Sequence, residues 1–166
     1  MASGKLTVEV VTPTGVALEG TYDEVALPGA TGQFGILPGH RPLLGSVRIG
    51  LAELRKGTET VRVALGQGFA EVSEDHLTVL TEHCTARDGL DPVALRNEFA
   101  ELEGKLASVK MHSEDADGGE HLLLIARERT VAALLELYGD APPAILRPYY
   151  EDEPFRHASV PVSHGA

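Results

Sequence analysis

Apolar and polar residues alternate with a period of two through the first half of the chain, a pattern typical of half-buried β-strands. In the opening segment, Leu6, Val8 and Val10 alternate with Thr7 and Glu9. Comparable segments cover residues 16–18, 22–27 (separated from the preceding segment at Gly20), 47–54, 61–65, 69–72 and 77–81, with turn-forming residues between them. Short strands at intervals of roughly ten residues predict an all-β sandwich or barrel over residues 4–87.

The pattern changes to a helical period after residue 90. Asp91 and Pro92 suit the N-cap and the first helical position, and Gly139 suits a helix end. Spacings of three and four predict helices over residues 92–109 and 120–138, joined by the polar residues 110–119. The apolar positions are Leu95, Phe99, Leu102, Leu106 and Val109 in the first helix, and Leu124, Val131, Leu135 and Tyr138 in the second. These stripes can cover each other in an antiparallel hairpin, so the predicted fold class is mainly β plus α.

Residues 140–166 contain five prolines and show no period, which predicts an extended or disordered tail. Its aromatic residues Tyr149, Tyr150 and Phe155 are either a docking peptide or incidental, and the second interpretation is favoured. The predicted domains are therefore a β-sandwich (1–87), a helical hairpin (88–139) and a Pro-rich acidic tail (140–166).

The stretch from Gly29 to Gly45, GATGQFGILPGHRPLLG, combines glycine and proline with large apolar residues. Pro38 and Pro42 exclude a helix and remove two backbone donors, while the glycines allow positive φ or close backbone approach. We interpret the stretch as a structured, partly exposed apolar loop that contacts another protein. A buried bend at a sheet corner is the alternative, with about equal weight.

Charge restricts the classes of partner. The formal net charge is -11 and the pI is near 5.0, which argues against binding to nucleic acid or anionic lipid because phosphates require Lys and Arg. Residues 1–87 carry 7 basic and 10 acidic side chains, whereas residues 88–166 carry 7 and 15. A neutral or basic protein is the expected partner.

The sequence contains no recognisable catalytic or metal-binding motif. Cys84 is the single cysteine, which indicates a packing residue in a reducing compartment. The seven histidines lack the paired spacing of a metal site, and the glycines at 29–35 lack the Lys-Ser/Thr of a phosphate-binding loop. Without a nucleophile elbow or paired carboxylates, the sequence predicts a non-catalytic protein that binds other proteins, with no metal and no cofactor.

One segment carries a specific family resemblance. Residues 32–44, GQFGILPGHRPLL, closely resemble the G-x-x-G-I-x-P-G-H-x-P-L-L signature of the epsilon subunit of F-type ATP synthases, called delta in mitochondria. Residues 66–72 resemble the family's G-G-x-x-E-V strand, residues 77–80 the next strand, and residues 6–11 its first strand. The resemblance covers about residues 5–109, and it implies a ten-stranded β-sandwich followed by a two-helix domain.

By this resemblance the chain is a non-catalytic rotor subunit that links the gamma subunit to the c-ring, so that rotation driven by ion flux reaches gamma. His40 is expected on the side facing gamma, and Gln33 toward the ring. The full set of expected contact residues for gamma and the c-ring is Gln33, Phe34, Gly35, Ile36, Leu37, Pro38, His40, Arg41, Pro42, Leu43 and Leu44.

In bacterial members, the helical pair either folds on the sandwich or extends toward the catalytic alpha and beta subunits and inhibits ATP hydrolysis. The extended second helix is usually basic, whereas residues 120–138 here hold Arg127 and Arg129 against three glutamates. Some members bind ATP through an I/L-D-x-x-R-A motif, for which Asp91 and Arg96 are the candidates. Here Ala94 replaces the motif's Arg, and a shift of two residues turns Arg96 about 200° around the helix, which argues against ATP binding.

The leading alternative is a free-standing β-sandwich that binds a small ligand and dimerises through its helices. The N-terminus has no secretory signal or Arg-rich transit pattern, and no segment reaches the roughly 18 apolar residues of a membrane span. Together with the resemblance, this predicts a peripheral protein on the cytoplasmic side of a bacterial plasma membrane; a processed mitochondrial chain is the other possibility.

Overall fold

A computed structural model describes residues 4–111 and 118–139. The predicted tail and residues 112–117 of the predicted helix connection lie outside the described residues. The strands are β1 Leu6–Thr12, β2 Gly15–Tyr22, β3 Glu24–Gly29, β4 Gly32–Ile36, β5 Leu43–Val47, β6 Gly50–Lys56, β7 Glu59–Leu65, β8 Gly68–Ser73, β9 His76–Thr81 and β10 Cys84–Thr85. The helices are α1 Pro92–Met111 and α2 Gly118–Glu136.

Ten strands form two five-stranded sheets, which confirms the predicted sandwich. Sheet 1 has the order β2-β1-β9-β8-β5, and sheet 2 has the order β10-β7-β6-β3-β4. The pairing of β1 with β9 is parallel, and the other pairings are antiparallel. Strands β4 and β5 are therefore the edges of different sheets, and residues 37–42 carry the chain from one edge to the other.

Inward-facing aliphatic side chains fill the space between the sheets. In β1, Leu6, Val8 and Val10 are almost completely buried, as the alternation predicts. The same cluster contains Val25, Leu27, Ile36, Val47, Leu54, Val63, Leu65, Ala70, Val72, Leu77 and Val79. The half-buried Cys84 packs against this cluster, and burial raises the pKa of its thiol, as expected for a packing residue.

Three strand predictions are wrong in detail. Strand β2 continues through Gly20, where the pattern predicts a break, because the residue pairs with Val8 of β1. The predicted strand 47–54 is two strands, since the chain leaves sheet 1 at Val47 and enters sheet 2 at Gly50. The Gly/Pro-rich stretch contains strands β4 and β5, because an edge strand needs partners on one side only and tolerates glycine there.

Helix α1 begins as predicted. The Asp91 carboxylate accepts a hydrogen bond from Val93 N–H at 2.9 Å, which satisfies one of the free donors at the helix start. Four of the five predicted apolar positions, Leu95, Phe99, Leu102 and Leu106, are buried, and Val109 is half-buried.

Helix α2 lies between α1 and the outer face of sheet 2. The sequence predicts that only one side of this helix is buried. In the structure, residues 130–135 are all buried, so the helix is enclosed on all sides in this part. Leu51 of β6 and Ala64 of β7 face outward from the sheet and pack against α2 in one cluster with Phe99 of α1. The order of layers in this region is therefore sheet 1, sheet 2, α2 and α1, and the hairpin covers sheet 2 around Leu51 and Ala64.

The end of α2 is attached to the segment between the domains. Tyr138 Oη lies 3.0 Å from the carbonyl oxygen of Arg87 and 2.9 Å from that of Leu90, to which it donates. The Arg87 guanidinium lies over the Tyr138 ring, 4.7 Å from its centre. Helix α2 ends at Glu136, two residues before the predicted end, and a turn follows in which Gly139 has a φ of 80°.

Candidate interaction surface

The central part of the Gly/Pro-rich stretch is a β-turn. His40 N–H donates to the Leu37 carbonyl oxygen at 3.1 Å, and Gly39 between them has a φ of 79°. A type II turn requires positive φ at its third position, which Gly39 supplies, and commonly has Pro at its second position, as here with Pro38. We call residues Leu37–Pro42 the interface loop; Leu37 is 51% exposed, and Arg41 and Pro42 are also exposed.

Phe34 closes the open side of the sandwich between the edge strands. Its ring packs on Gly29, where an added methyl group would lie 2.8 Å from Phe34 Cδ1. It also reaches across to Gly45 of β5, where the corresponding distance to Phe34 Cζ is 3.7 Å. The ring is half-buried against the core, so most of its apolar area serves the fold and not a partner.

The structure separates the sequence-predicted contact residues by exposure. Ile36 is fully buried in the sandwich core and has no surface to offer a partner. The exposed members are Gln33, Gly35, Leu37, Arg41, Pro42 and Leu44, and the half-buried ones are Phe34, Pro38, His40 and Leu43. Gln33 follows the tight β3–β4 turn, whereas His40 lies beyond the opposite end of β4. The expected ring-side and gamma-side residues thus lie at opposite ends of this edge strand.

A second surface lies on the outer face of sheet 1, and of its residues the sequence analysis predicts only Leu44. The register places Val11 opposite Val16 and Leu80, and Leu80 opposite Phe69, so these side chains form one row across four strands. Phe69 is 59% exposed and Leu80 is 54% exposed. Leu44, 73% exposed, lies diagonally next to Phe69 on β5. We call Val11, Val16, Leu44, Phe69 and Leu80 the apolar patch.

The apolar patch continues into a shallow groove at the end of the sandwich remote from the interface loop. The groove has a volume of about 340 Å³ and is lined by Val11, Thr12, Pro13, Gln67, Leu80, Thr81 and Glu82. Its walls are largely apolar, with the acidic Glu82 at its margin. A protein partner with an apolar ridge and a basic or neutral rim would fit this combination.

The alternation contains a signal for this surface. In β8, Ala70 and Val72 point into the core, so Phe69 must point outward. In β9, Leu77 and Val79 point inward, so Leu80 also points outward. A large apolar residue at a position where alternation requires a polar one indicates an interface.

The candidate ATP-binding residues, Asp91 and Arg96, lie at the start of α1. The Asp91 carboxylate is used to cap α1. Arg96 is exposed on the same helix. Among residues 4–111 and 118–139, no group of three His, Cys, Asp or Glu side chains is arranged to hold a metal ion, and no helix is both long and apolar enough to cross a membrane.

Comparisons with known proteins identify the family. The family model of the β-sandwich domain of the ATP synthase delta/epsilon chain matches residues 5–87. ATP synthase epsilon chain 2 of Syntrophotalea carbinolica is 35% identical over 130 residues, which cover 78% of this chain and 91% of that protein. The epsilon chain of Synechococcus elongatus is 36% identical over 129 residues, covering 78% and 92%.

A chain in the cryo-EM structure of the Euglena gracilis mitochondrial ATP synthase (OSCP/F1/c-ring) has the same fold, with a TM-score of 0.65. It is 16% identical, and the match covers 89% of this chain and 87% of that one. The chain described here therefore belongs to the family of ATP synthase delta/epsilon chains, and its function is that of an epsilon subunit of this complex.

Proposed function

We propose that this chain is a non-catalytic subunit of the ATP synthase central stalk that binds gamma through the apolar patch and the interface loop. The observation that carries this proposal is the contrast between the two sheets. On sheet 2 the helical hairpin covers the outward-facing apolar residues Leu51 and Ala64, whereas the outer face of sheet 1 exposes Phe69, Leu80 and Leu44. The sandwich therefore has one apolar face left for a partner.

Burial of this patch on gamma would contribute to the free energy of binding, because Phe69, Leu80 and Leu44 still expose more than half of their area. Each large apolar side chain that becomes fully buried contributes about 1.5–3 kcal/mol. Aromatic residues at the centre of such patches commonly dominate binding, which makes Phe69 the expected main contributor. Gln33, at the other end of the edge strand from His40, is proposed to face the c-ring, in agreement with the family resemblance.

The hairpin is proposed to regulate ATP hydrolysis weakly, with no bound ATP. Its docked form is held by apolar packing, and Arg127 of α2 is paired with Glu98 of α1 at 2.6 Å. Few basic groups remain to attract an acidic segment of the catalytic subunits. A rise in ATPase activity when the chain is cut after Gly89 would support inhibition, and an unchanged rate would exclude it.

The proposed location is the cytoplasmic side of a bacterial plasma membrane, reached through the complex. Relatives in Syntrophotalea carbinolica and Synechococcus elongatus support a bacterial assignment. The alternative of a module that dimerises through its helices has less support, because the predicted apolar stripes of α1 and α2 pack on each other and on sheet 2.

The test is recovery of partners from membranes by tagged full-length chains. Phe69→Asp should lose gamma and the c-ring, since it introduces a charge into the centre of the patch. Val93→Asp is the matched control, because Val93 is also 59% exposed but lies on α1. Equal recovery by wild type and Phe69→Asp, with gamma present, would refute the patch as the binding surface.

A further inference from the structure

The turn between β8 and β9 has an unusual backbone. Ser73 pairs with His76, so only Glu74 and Asp75 connect the strands. Their φ angles are 48° and 61°, and they are the only non-glycine residues with positive φ among the described residues. Two-residue hairpins of this type strongly favour Asn and Gly, and each non-glycine residue in the left-handed region has a conformational cost. Glycine would form the turn with less strain, so the presence of Glu74 and Asp75 at these positions requires an explanation.

The Asp75 side chain explains the use of a non-glycine residue here, because it binds the interface loop. Asp75 Oδ1 accepts a hydrogen bond from Gly39 N–H at 2.6 Å, between residues 36 positions apart in the sequence. The backbone oxygen of Asp75 accepts Thr7 N–H at 2.8 Å. Gly4 completes the contact, because a methyl group added there would lie 3.1 Å from Pro38 Cβ and 3.7 Å from Asp75 Oδ2. The strained turn therefore joins the start of β1, the end of β8 and the interface loop.

The bond to Gly39 selects one form of the loop. Type I and type II turns differ by a flip of the central peptide, here the Pro38–Gly39 peptide. The N–H of that peptide belongs to Gly39, and the turn itself uses only the Leu37 carbonyl and the His40 N–H. Because the Asp75 carboxylate accepts the Gly39 N–H in the type II form, a flip of this peptide would break the bond. The directions of the Pro38 carbonyl and the Gly39 N–H at the tip of the interface loop depend on this choice.

We propose that Asp75 is a positioning residue for partner binding: its strained left-handed backbone aims a carboxylate at Gly39 and holds the interface loop in its binding form. This inference rests on the proposed function, because it takes the interface loop as part of the contact with gamma. Asp75 makes no contact with the partner in this account and acts only through the loop.

Two glycine variants of the same turn separate positioning from folding. Asp75→Gly relieves the backbone strain at residue 75 but removes the carboxylate. Glu74→Gly relieves the backbone strain at residue 74 and retains the Asp75 carboxylate. The full-length variants are compared by melting temperature, by the exchange rate of the Gly39 amide proton, and by affinity for purified gamma. Asp75→Asn serves as the conservative variant, because its amide oxygen still accepts the Gly39 N–H and Asn tolerates positive φ.

For Asp75→Gly we expect an unchanged or higher melting temperature, faster exchange at Gly39 and roughly three- to tenfold weaker binding to gamma. Glu74→Gly should retain wild-type exchange and affinity, and Asp75→Asn should recover most of both. Wild-type affinity of Asp75→Gly would overturn the proposal, as would a loss of binding that only follows a fall in melting temperature. If the Asp75 proposal fails in either way but Phe69→Asp still weakens binding to gamma, the proposed function stands. If the wild-type chain does not bind gamma at all, both proposals fall.

Discussion

At the scale of single residues, close backbone contacts decide which positions must be glycine. Gly68 begins β8 beside β9, and a methyl group added there would lie 1.8 Å from the Leu80 carbonyl oxygen. Gly45 on the neighbouring edge strand has ordinary surroundings, with the nearest atom at 3.7 Å. The sequence alone does not show which of the two glycines is closely approached by other backbone. Only the pairing of the strands distinguishes them.

We predict that Gly68→Ala lowers the free energy of unfolding by about 3 kcal/mol or more, because the methyl group meets backbone that cannot move without breaking the β8–β9 pairing. Gly45→Ala should change it by less than about 1 kcal/mol. Urea unfolding of the two variants measures the difference. Similar stability of both would show that β8 and β9 do not approach as described.

The sequence predicts the candidate site only in part, because the roles of its residues depend on contacts between strands that are distant in the sequence. The motif at residues 32–44 identifies the segment, but it does not show that Ile36 is buried or that Phe34 serves to close the sandwich. Those roles depend on β4 and β5 being edges of different sheets, which is a long-range property. Phe69 and Leu80 violate the expected alternation and were detectable, yet only the register shows that they are neighbours.

At the scale of elements, the helices are predicted best, because their signals are local. Asp91, Pro92 and Gly139 mark helix ends through chemistry within one turn. The attachment of α2 to sheet 2 is not local, and Tyr138 contributes through two carbonyl oxygens about 50 residues earlier in the chain. No periodicity signals such a bond.

Tyr138→Phe should destabilise the docked hairpin by about 1 kcal/mol, the net value of one hydrogen bond, while the ring stays in place under Arg87. Amide exchange in α2 should become roughly fivefold faster in consequence, with exchange in β1 and β9 unchanged. Tyr138→Leu also loses the contact with the Arg87 guanidinium and should have the larger effect. Equal exchange in wild type and both variants would contradict a role for Tyr138 in docking.

At the scale of the whole molecule, the described apolar residues form two clusters. The sandwich cluster contains no hairpin residue, whereas the second cluster joins α1 and α2 to Leu51 and Ala64 of sheet 2. The sandwich thus has a complete core of its own. The hairpin does not, because the buried part of α2 needs the sheet as well as α1.

A chain ending after Gly89 should therefore fold cooperatively and retain binding to gamma. It should self-associate more than the full chain, because Leu51 and Ala64 become exposed on sheet 2. Near-UV circular dichroism and sedimentation velocity test folding and association. An unfolded fragment would show that the hairpin is part of the folding unit.

If gamma covers the outer face of sheet 1, the side chains of the apolar patch lose their exposure to solvent on binding. Hydroxyl-radical footprinting of the full chain, alone and bound to purified gamma, tests it directly because the radical labels exposed side chains. We expect labelling of Phe69, Leu80 and Leu44 to fall strongly on binding, while labelling of Val93, which is as exposed as Phe69, stays the same. Unchanged labelling of Phe69 and Leu80 in the bound chain would show that gamma does not bind this face.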